Sequence, residues 1–320
     1  MGLVSPLTMR QADFEAAGIA CTEVTERIFV IHGNNRSRTP FSHSFLVLDT
    51  VNVLFDAGCG LDVIERLLGL VRIDRLFLSH SHVDHTAGCR LMNEKTDCEI
   101  VVPETSSDTI ANAELLARRF VGDDLVPLWM ETYPVLTGFR DFSFHSTYDH
   151  AYELRTGHLT FLAVPTPGHL EDHTCFFEPD RRILIGFDID LSPFGPWYGN
   201  PESDIDAFRA SISRIRELKP EIYLPSHAKP VRSAHFEKRL ARYEASFDER
   251  DRLILAMLTE TPGMDLGAIV RRSPFYDADH STITDELLWF GEEQMVQKHL
   301  DRLLLAGVIR CDRGRYLVSP

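Results

Sequence analysis

A chain of 320 residues, 44% hydrophobic and 25% charged, has the composition of an ordinary soluble protein and enough length for more than one domain. Its 48 acidic against 33 basic side chains leave a formal net charge of −15, which argues against a protein built mainly to grip phosphate backbones. No apolar run reaches the length of a membrane span, and Met1-Gly2-Leu3-Val4-Ser5-Pro6 lacks both a secretory leader and the Ser or Thr of a myristoylation signal. Six cysteines (Cys21, Cys59, Cys89, Cys98, Cys175 and Cys311) form no Cys-x-x-Cys pair. That pattern fits reduced, mostly packed thiols, and a cytoplasmic protein is expected.

In chain order, Gln11 to Ala17 reads as a short helix, and Thr22 to His32, Ser44 to Leu48 and Val51 to Asp56 read as β-rich segments. Asp62 to Gly69 is amphipathic with helical period. Arg75-Leu76-Phe77-Leu78 is a short apolar strand that opens into Ser79-His80-Ser81-His82-Val83-Asp84-His85, where four metal-binding side chains occupy six positions. Neutral imidazoles and carboxylates at such spacing suit a borderline cation such as zinc. Thr86 to Asn93 then begins a helix, Ile100 to Pro103 a strand, and Asp108 to Phe120 a helix with Ala113, Leu116, Ala117 and Phe120 on one face. The aromatic stretch Val121 to Asp149 is read as a meander of core strands, with an excursion covering a substrate entrance as the alternative.

One loop cannot close a metal site, so further ligands are expected at the ends of later strands. His169 follows Leu159 to Val164 and a Pro-Thr-Pro-Gly turn; Asp188 follows Arg182 to Phe187; His227 follows Glu221 to Ser226. Each stands just past a strand-like run, as residues at the carboxyl edge of a sheet should. Together with Leu54-Phe55-Asp56-Ala57-Gly58, Thr166-Pro167-Gly168-His169 and Ser226-His227-Ala228-Lys229-Pro230, these motifs resemble the metallo-β-lactamase-fold hydrolases over about Ile28 to Pro230. The resemblance implies a four-layer αββα fold. It also implies His80, His82 and His169 on one metal, Asp84, His85 and His227 on a second, and Asp188 bridging them. One departure stands out: Phe187 separates Gly186 from Asp188, where the family places Gly directly before the bridging aspartate, and Asp190 is a rival for that role. Asp56 is expected to orient a ligand or cap a turn, and His173 to support the site or serve structure.

Two divalent ions, zinc foremost and iron or manganese as alternatives, would share a water and supply hydroxide near neutral pH. Asp84 would orient that water and carry a proton to the leaving group. The loop from Leu191 to Pro201, rich in Pro, Gly and aromatic residues, is anchored beside Asp188 and is expected to lie over the metals, with Trp197 and Tyr198 as candidate substrate contacts. Ser203 to Leu218 follows as a helix with Ile205, Phe208, Ile212 and Ile215 buried.

Beyond a catalytic domain over residues 1–235, residues 236–320 read as a small, mostly helical domain. It has helices at Phe236 to Leu258, Asp265 to Arg271 and Glu292 to Leu305, and a hairpin turning at Asp312-Arg313-Gly314, so it resembles a winged helix. Arg302, Arg310, Arg313 and Arg315 offer a small basic patch, but the surrounding acids favour packing beside the site or a homodimer over nucleic-acid binding. The expected function is a binuclear metal hydrolase of a small ester-like substrate: a thioester, lactone or related acyl compound. A ribonuclease would show salt-sensitive RNA binding dependent on Arg313 and Arg315. An iron oxidoreductase of the same fold would not need both His85 and His227.

Overall fold

The computed structural model describes residues 8–276 and 283–320, so the reading of Met1 to Pro6 lies outside the described residues. Seven strands form the first sheet: β1 (Cys21–Glu23), β2 (Ile28–Ile31), β3 (Ser44–Val47), β4 (Val53–Phe55), β5 (Arg75–Phe77), β6 (Glu99–Pro103) and β7 (Ser146–Tyr148), in that spatial order. β1 to β4 pair antiparallel, and β4 to β7 are parallel. The second sheet holds β8 (Glu153–Arg155), β9 (Thr160–Pro165), β10 (Thr174–Glu178), β11 (Ile183–Phe187), β12 (Ile222–Pro225) and β13 (Val231–Arg232), and only β11 and β12 pair parallel. The span Thr22 to His32 is therefore two strands around a tight turn rather than one.

Period-two alternation decides the layering. In the first sheet Ile28, Val30, Phe45, Val47, Phe55 and Phe77 face a core shared with Phe161, Phe176, Ile185 and Leu224 of the second. Their neighbours Phe29, Ile31, Leu46, Leu54 and Leu76 face the opposite way, against the helices Leu61–Leu68 and Ala113–Val121. On the outer face of the second sheet, Cys175, Leu184 and Tyr223 meet Ile205, Phe208, Ile212 and Ile215 of helix Ile205–Leu218. The result is helix, sheet, sheet, helix, as expected. The Asp204 side chain accepts from the Ala207 N–H and starts that helix where the sequence places it.

Two expectations are corrected. Residues 126–137 form a helix, Val126–Thr137, and not part of a strand meander. Pro127 in its first turn is tolerated, since the early N–H groups need no intrahelical partner, but Pro134 near the end disguises the helical pattern. The span expected to be helical from Asp108 forms its helix only from Ala113, capped by the Asn112 side chain on the Leu115 N–H.

The C-terminal region contains helix Leu266–Val270, helix Ile283–Leu305 and the hairpin β14 (Ile309–Asp312) and β15 (Arg315–Val318). Arg313 and Gly314, at φ of 50° and 76°, make the two-residue turn. One continuous helix, Ser233–Glu260, crosses the 235/236 division. Its Phe236, Leu240, Tyr243 and Phe247 pack on the second sheet, whereas Ile254 and Leu258 join the C-terminal core with Ile269, Leu300 and Tyr316. Arg302 lies 3.1 Å from Asp206 and 3.7 Å from Asp251, which neutralises part of the basic patch. Cys59 and Cys89 are fully buried, and among the described residues no helix is long and apolar enough to cross a membrane.

Candidate metal centre

Antiparallel pairing of β9 with β10 and of β10 with β11 gives β9, β11 and β12 one direction, so their carboxyl ends share an edge. His169, Asp188 and His227 follow those ends. The carboxyl end of β5 meets them, joined by the Thr174 N–H donating to the Ser79 carbonyl at 3.1 Å. This brings together all seven expected ligands.

The His82 Nδ1 lies 3.2 Å from His80 Nε2 and 2.9 Å from His169 Nε2. Asp188 Oδ2 sits 3.3 Å from His169 Nε2 and 3.8 Å from His80 Nε2. Its other oxygen, Oδ1, lies 3.1 Å from His85 Nε2 and 3.4 Å from His227 Nε2, while Asp84 Oδ2 is 3.6 Å from His227 Nε2. The two oxygens of one carboxylate thus divide between two groups of donors, His80, His82 and His169 on one side and Asp84, His85 and His227 on the other.

Each imidazole is held by its remaining nitrogen, which fixes the atom it presents inward. His80 Nδ1 meets Ser79 Oγ at 2.8 Å, and His82 Nε2 meets Asn200 Oδ1 at 2.8 Å. His85 Nδ1 meets Asp56 Oδ2 at 2.7 Å, His169 Nδ1 the Trp197 carbonyl at 2.9 Å, and His227 Nδ1 the Ser37 carbonyl at 2.8 Å. Asp56 therefore orients His85 and also accepts from the Ser79 N–H and Oγ–H, at 2.8 and 2.7 Å. His173 Nε2 accepts the backbone N–H of Asp188 at 3.2 Å, giving it a supporting position behind that aspartate.

Gly-Phe-Asp departs from the family pattern through a β-bulge. Ile185 pairs with Leu224 and Phe187 with the next residue, Pro225, leaving Gly186 as the extra residue. A Cβ on Gly186 would lie 2.0 Å from the Tyr223 hydroxyl, so only glycine fits there. Phe187 takes φ of 46°, keeps its ring in the inter-sheet core and turns Asp188 out at the edge. Asp190 lies outside the ligand groups, accepts the Ser192 N–H at 2.9 Å, and is pushed by burial up to about 6.

The electrostatics of the two groups differ. Burial, helped by the neighbouring imidazoles, holds His80 and His82 well below the usual histidine range. Burial also works against charge on His85 and His227, but the carboxylates of Asp188 and Asp84 outweigh it. His85, which also has Asp56, lies well above 6.5, and His227 is raised to about 9. Asp188 is held well below the ordinary carboxylate range, its burial overcome chiefly by His85 and His227.

The donor set fits divalent metal: His85 Nε2 and Asp188 Oδ1 are buried and face each other at 3.1 Å without a well-aligned hydrogen bond. A cleft of about 640 Å³ opens over them, walled by Phe120, Trp129, Tyr133, Phe194, Trp197 and Phe290. Trp197 thus lies where expected, its Nε1–H donating to the Tyr276 hydroxyl at 2.8 Å. Tyr198 is a correction, because it is fully buried away from the cleft. Its hydroxyl meets His299 Nε2 at 2.7 Å and accepts from Arg250 at 2.9 Å, so it pins the loop to the C-terminal region. Alternation along an extended loop separates the two neighbours, and composition alone does not say which points inward. Trp129 and Tyr133 belong to the aromatic stretch whose alternative reading is an excursion over a substrate entrance, and their place in the cleft wall agrees with that alternative, whereas Phe290 escapes the sequence reading because its helix starts earlier than the sequence suggests.

Gly58 packs under the ligand loop, where a Cβ would lie 1.6 Å from the Asp84 carbonyl. Gly58→Ala is expected to displace that loop, lower stability by about 1–3 kcal/mol or more, and weaken metal retention. Thermal unfolding and metal analysis of the purified variant check this.

A β-lactamase domain protein from Burkholderia ambifaria superposes with TM-score 0.72 at 20% identity, covering 95% of this chain and 94% of that one, a likeness of fold. The lactamase-like protein adaB of Aspergillus niger is 25% identical over 245 residues, 74% of this chain and 65% of that protein. The thioesterase pkgB of Emericella nidulans is 24% identical over 191 residues, 59% of this chain and 43% of that protein. The chain spans less than two thirds of the length of these curated relatives. The profile of the Metallo-beta-lactamase superfamily matches residues 38–227, more than half of the sequence and a range that contains the seven converging side chains, and the chain belongs to that superfamily.

Proposed function

We propose that this protein is a metal-dependent hydrolase that holds two divalent ions, zinc foremost, and cleaves a thioester, lactone or related acyl bond. One observation carries this reading: the Asp188 carboxylate offers one oxygen to each of two imidazole groups, with its Oδ1 buried 3.1 Å from His85 Nε2 and no well-aligned hydrogen bond between them. His80, His82, His169 and Asp188 would hold one ion, and Asp84, His85, His227 and Asp188 the other. Such ions, when bound, lower the pKa of a shared water and polarise the acyl carbonyl.

The remaining chemistry belongs to the chain. Asp84 is the ligand-group carboxylate least engaged by its neighbours, with its side chain 15% exposed to the cleft, so it is placed to receive the proton of water and pass it to the leaving oxygen or sulfur. Asp188, which faces four imidazoles, is not free for that task. Trp129, Trp197, Phe194 and Phe290 offer an apolar wall for the acyl body and exclude water around it. The name of the Emericella relative, a thioesterase, agrees with acyl chemistry.

The test is a hydrolysis panel of thioesters, lactones, phosphodiesters and RNA, run with metal quantification on protein purified without added metal. Two equivalents of metal and turnover of an acyl substrate are expected. Cleavage confined to RNA or phosphodiesters would overturn the acyl reading; one equivalent with His227→Ala still active would overturn the binuclear one.

A further inference from the structure

Arg119 stands on helix Ala113–Val121, one residue before Phe120, whose ring lies 5.2 Å from that of His82. Its guanidinium reaches three separate segments. Nη1 donates to Ser81 Oγ at 3.1 Å, and that serine sits between His80 and His82. Nη2 lies 3.7 Å from Asp172, in the turn that carries His169. Nη2 and Nε together grip Glu202 as a fork, Nη2 at 2.6 Å. Glu202 in turn accepts the Glu171 N–H at 3.2 Å and follows Asn200, the partner of His82 Nε2, by two residues.

Asp172 makes this arrangement more than a surface ion pair. Its side chain is fully buried, with the Ser81 and Ser106 hydroxyls beside it. Arg119 is the cation paired with it among those residues. A buried carboxylate whose counter-charge is removed destabilises its surroundings strongly, so the turn holding His169 depends on Arg119. The other ligand group is held differently. Ser42 Oγ donates to the Asp84 carbonyl at 2.8 Å, Asp56 orients His85, and the Ser37 carbonyl orients His227.

We propose that Arg119 is the positioning residue of the His80, His82, His169 group, clamping together the three segments that supply and orient its donors. It touches none of the reacting atoms and acts through Ser81, Asp172 and Glu202. The inference rests on the metal reading proposed above and predicts an asymmetric effect, with one ion weakened and the other spared. Removal of such an outer partner typically costs about 10–100-fold in metal affinity.

The experiment is a titration of the metal-stripped full chain with cobalt(II), followed by visible absorption and by competition with a chelator. Wild type is expected to bind two ions with distinct spectra, since one group has three imidazoles and the other two. In Arg119→Met one ion should bind about 10–100-fold more weakly and lose its spectrum, and the other should be unchanged. Arg119→Lys, which keeps the charge but not the fork, should restore the affinity only in part. Unchanged affinities, or equal weakening of both ions, would overturn the proposal. If Arg119→Met does not fold, Glu202→Gln, which removes one arm of the clamp, should show a smaller loss confined to the same ion. No loss there would overturn the proposal equally. A wild type that holds only one ion would overturn the binuclear reading separately; an affinity for that ion unaltered by Arg119→Met would overturn the positioning role too.

Discussion

Asp84→Ala is expected to reduce turnover about a thousandfold or more while leaving the fold and most of its stability intact. Positioned proton transfer contributes about 10²–10⁴-fold in rate, and a thousandfold loss corresponds to about 4 kcal/mol of barrier. The loss would fall on proton transfer and on retention of the second ion, which Asp84 would help to hold, because little of the fold itself depends on this side chain. Asp84 lies in the short helix Val83–Thr86, where alanine is readily accommodated. What the surroundings grip is its backbone, through the Ser42 hydroxyl on its carbonyl, and alanine retains that carbonyl. A shift of no more than a few degrees in the thermal midpoint is therefore expected. Asp84→Asn, of nearly the same shape, should be almost as inactive. Steady-state kinetics on the acyl substrate found in the panel, with thermal unfolding alongside, checks both. An Asp84→Ala protein within tenfold of wild type would end the proposed role.

Metal uptake by the second ligand group is expected to depend steeply on pH. In the metal-free protein burial keeps His80 and His82 neutral and ready to donate. His85 and His227 instead hold protons between Asp188 and Asp84, with His227 raised to about 9, and an ion must displace them. Apparent affinity at that group should therefore rise about tenfold per pH unit for each proton released, up to about pH 9. Stability of the metal-free chain runs the other way. A histidine raised from 6.5 to about 9 contributes stability that is fully present below 6.5 and is lost as pH rises through 9. The gain in thermal midpoint on adding zinc should therefore grow between about pH 6 and pH 9. A gain independent of pH over that range would show that these imidazoles carry no proton in the metal-free state.

Much of the centre was legible because its chemistry is local. His80, His82, Asp84 and His85 come from one turn, and the strands before His169, Asp188 and His227 announce themselves by apolar runs, ended by Pro-Thr-Pro-Gly before His169 and by Pro-Ser before His227. The sandwich was expected only through the family resemblance of those motifs; the alternation along β2 to β5 that sorts side chains into two cores is a finding of the structure. The aromatic helix Val126–Thr137 was not, because Pro134 and apolar residues on several faces hide its period, and burial against the ligand loop outweighs local preference. The bulge at Gly186 was visible only as a mismatch in spacing. Its cause, the Tyr223 hydroxyl occupying the space of a side chain, lies on another strand.

The sequence by itself determined which atoms can bind metal and at which strand ends they stand, because ligand type and strand periodicity are properties of residues close in the chain. Tertiary structure alone decided that Trp197 turns to the cleft while Tyr198 turns away, and that helix Ile283–Leu305 helps wall the cleft, and it gave the distances by which Asp188 faces both groups. It alone placed Arg119 beneath the first ligand group. Each of these depends on distances between segments tens of residues apart, which packing of the two sheets and their helices sets and no local pattern encodes.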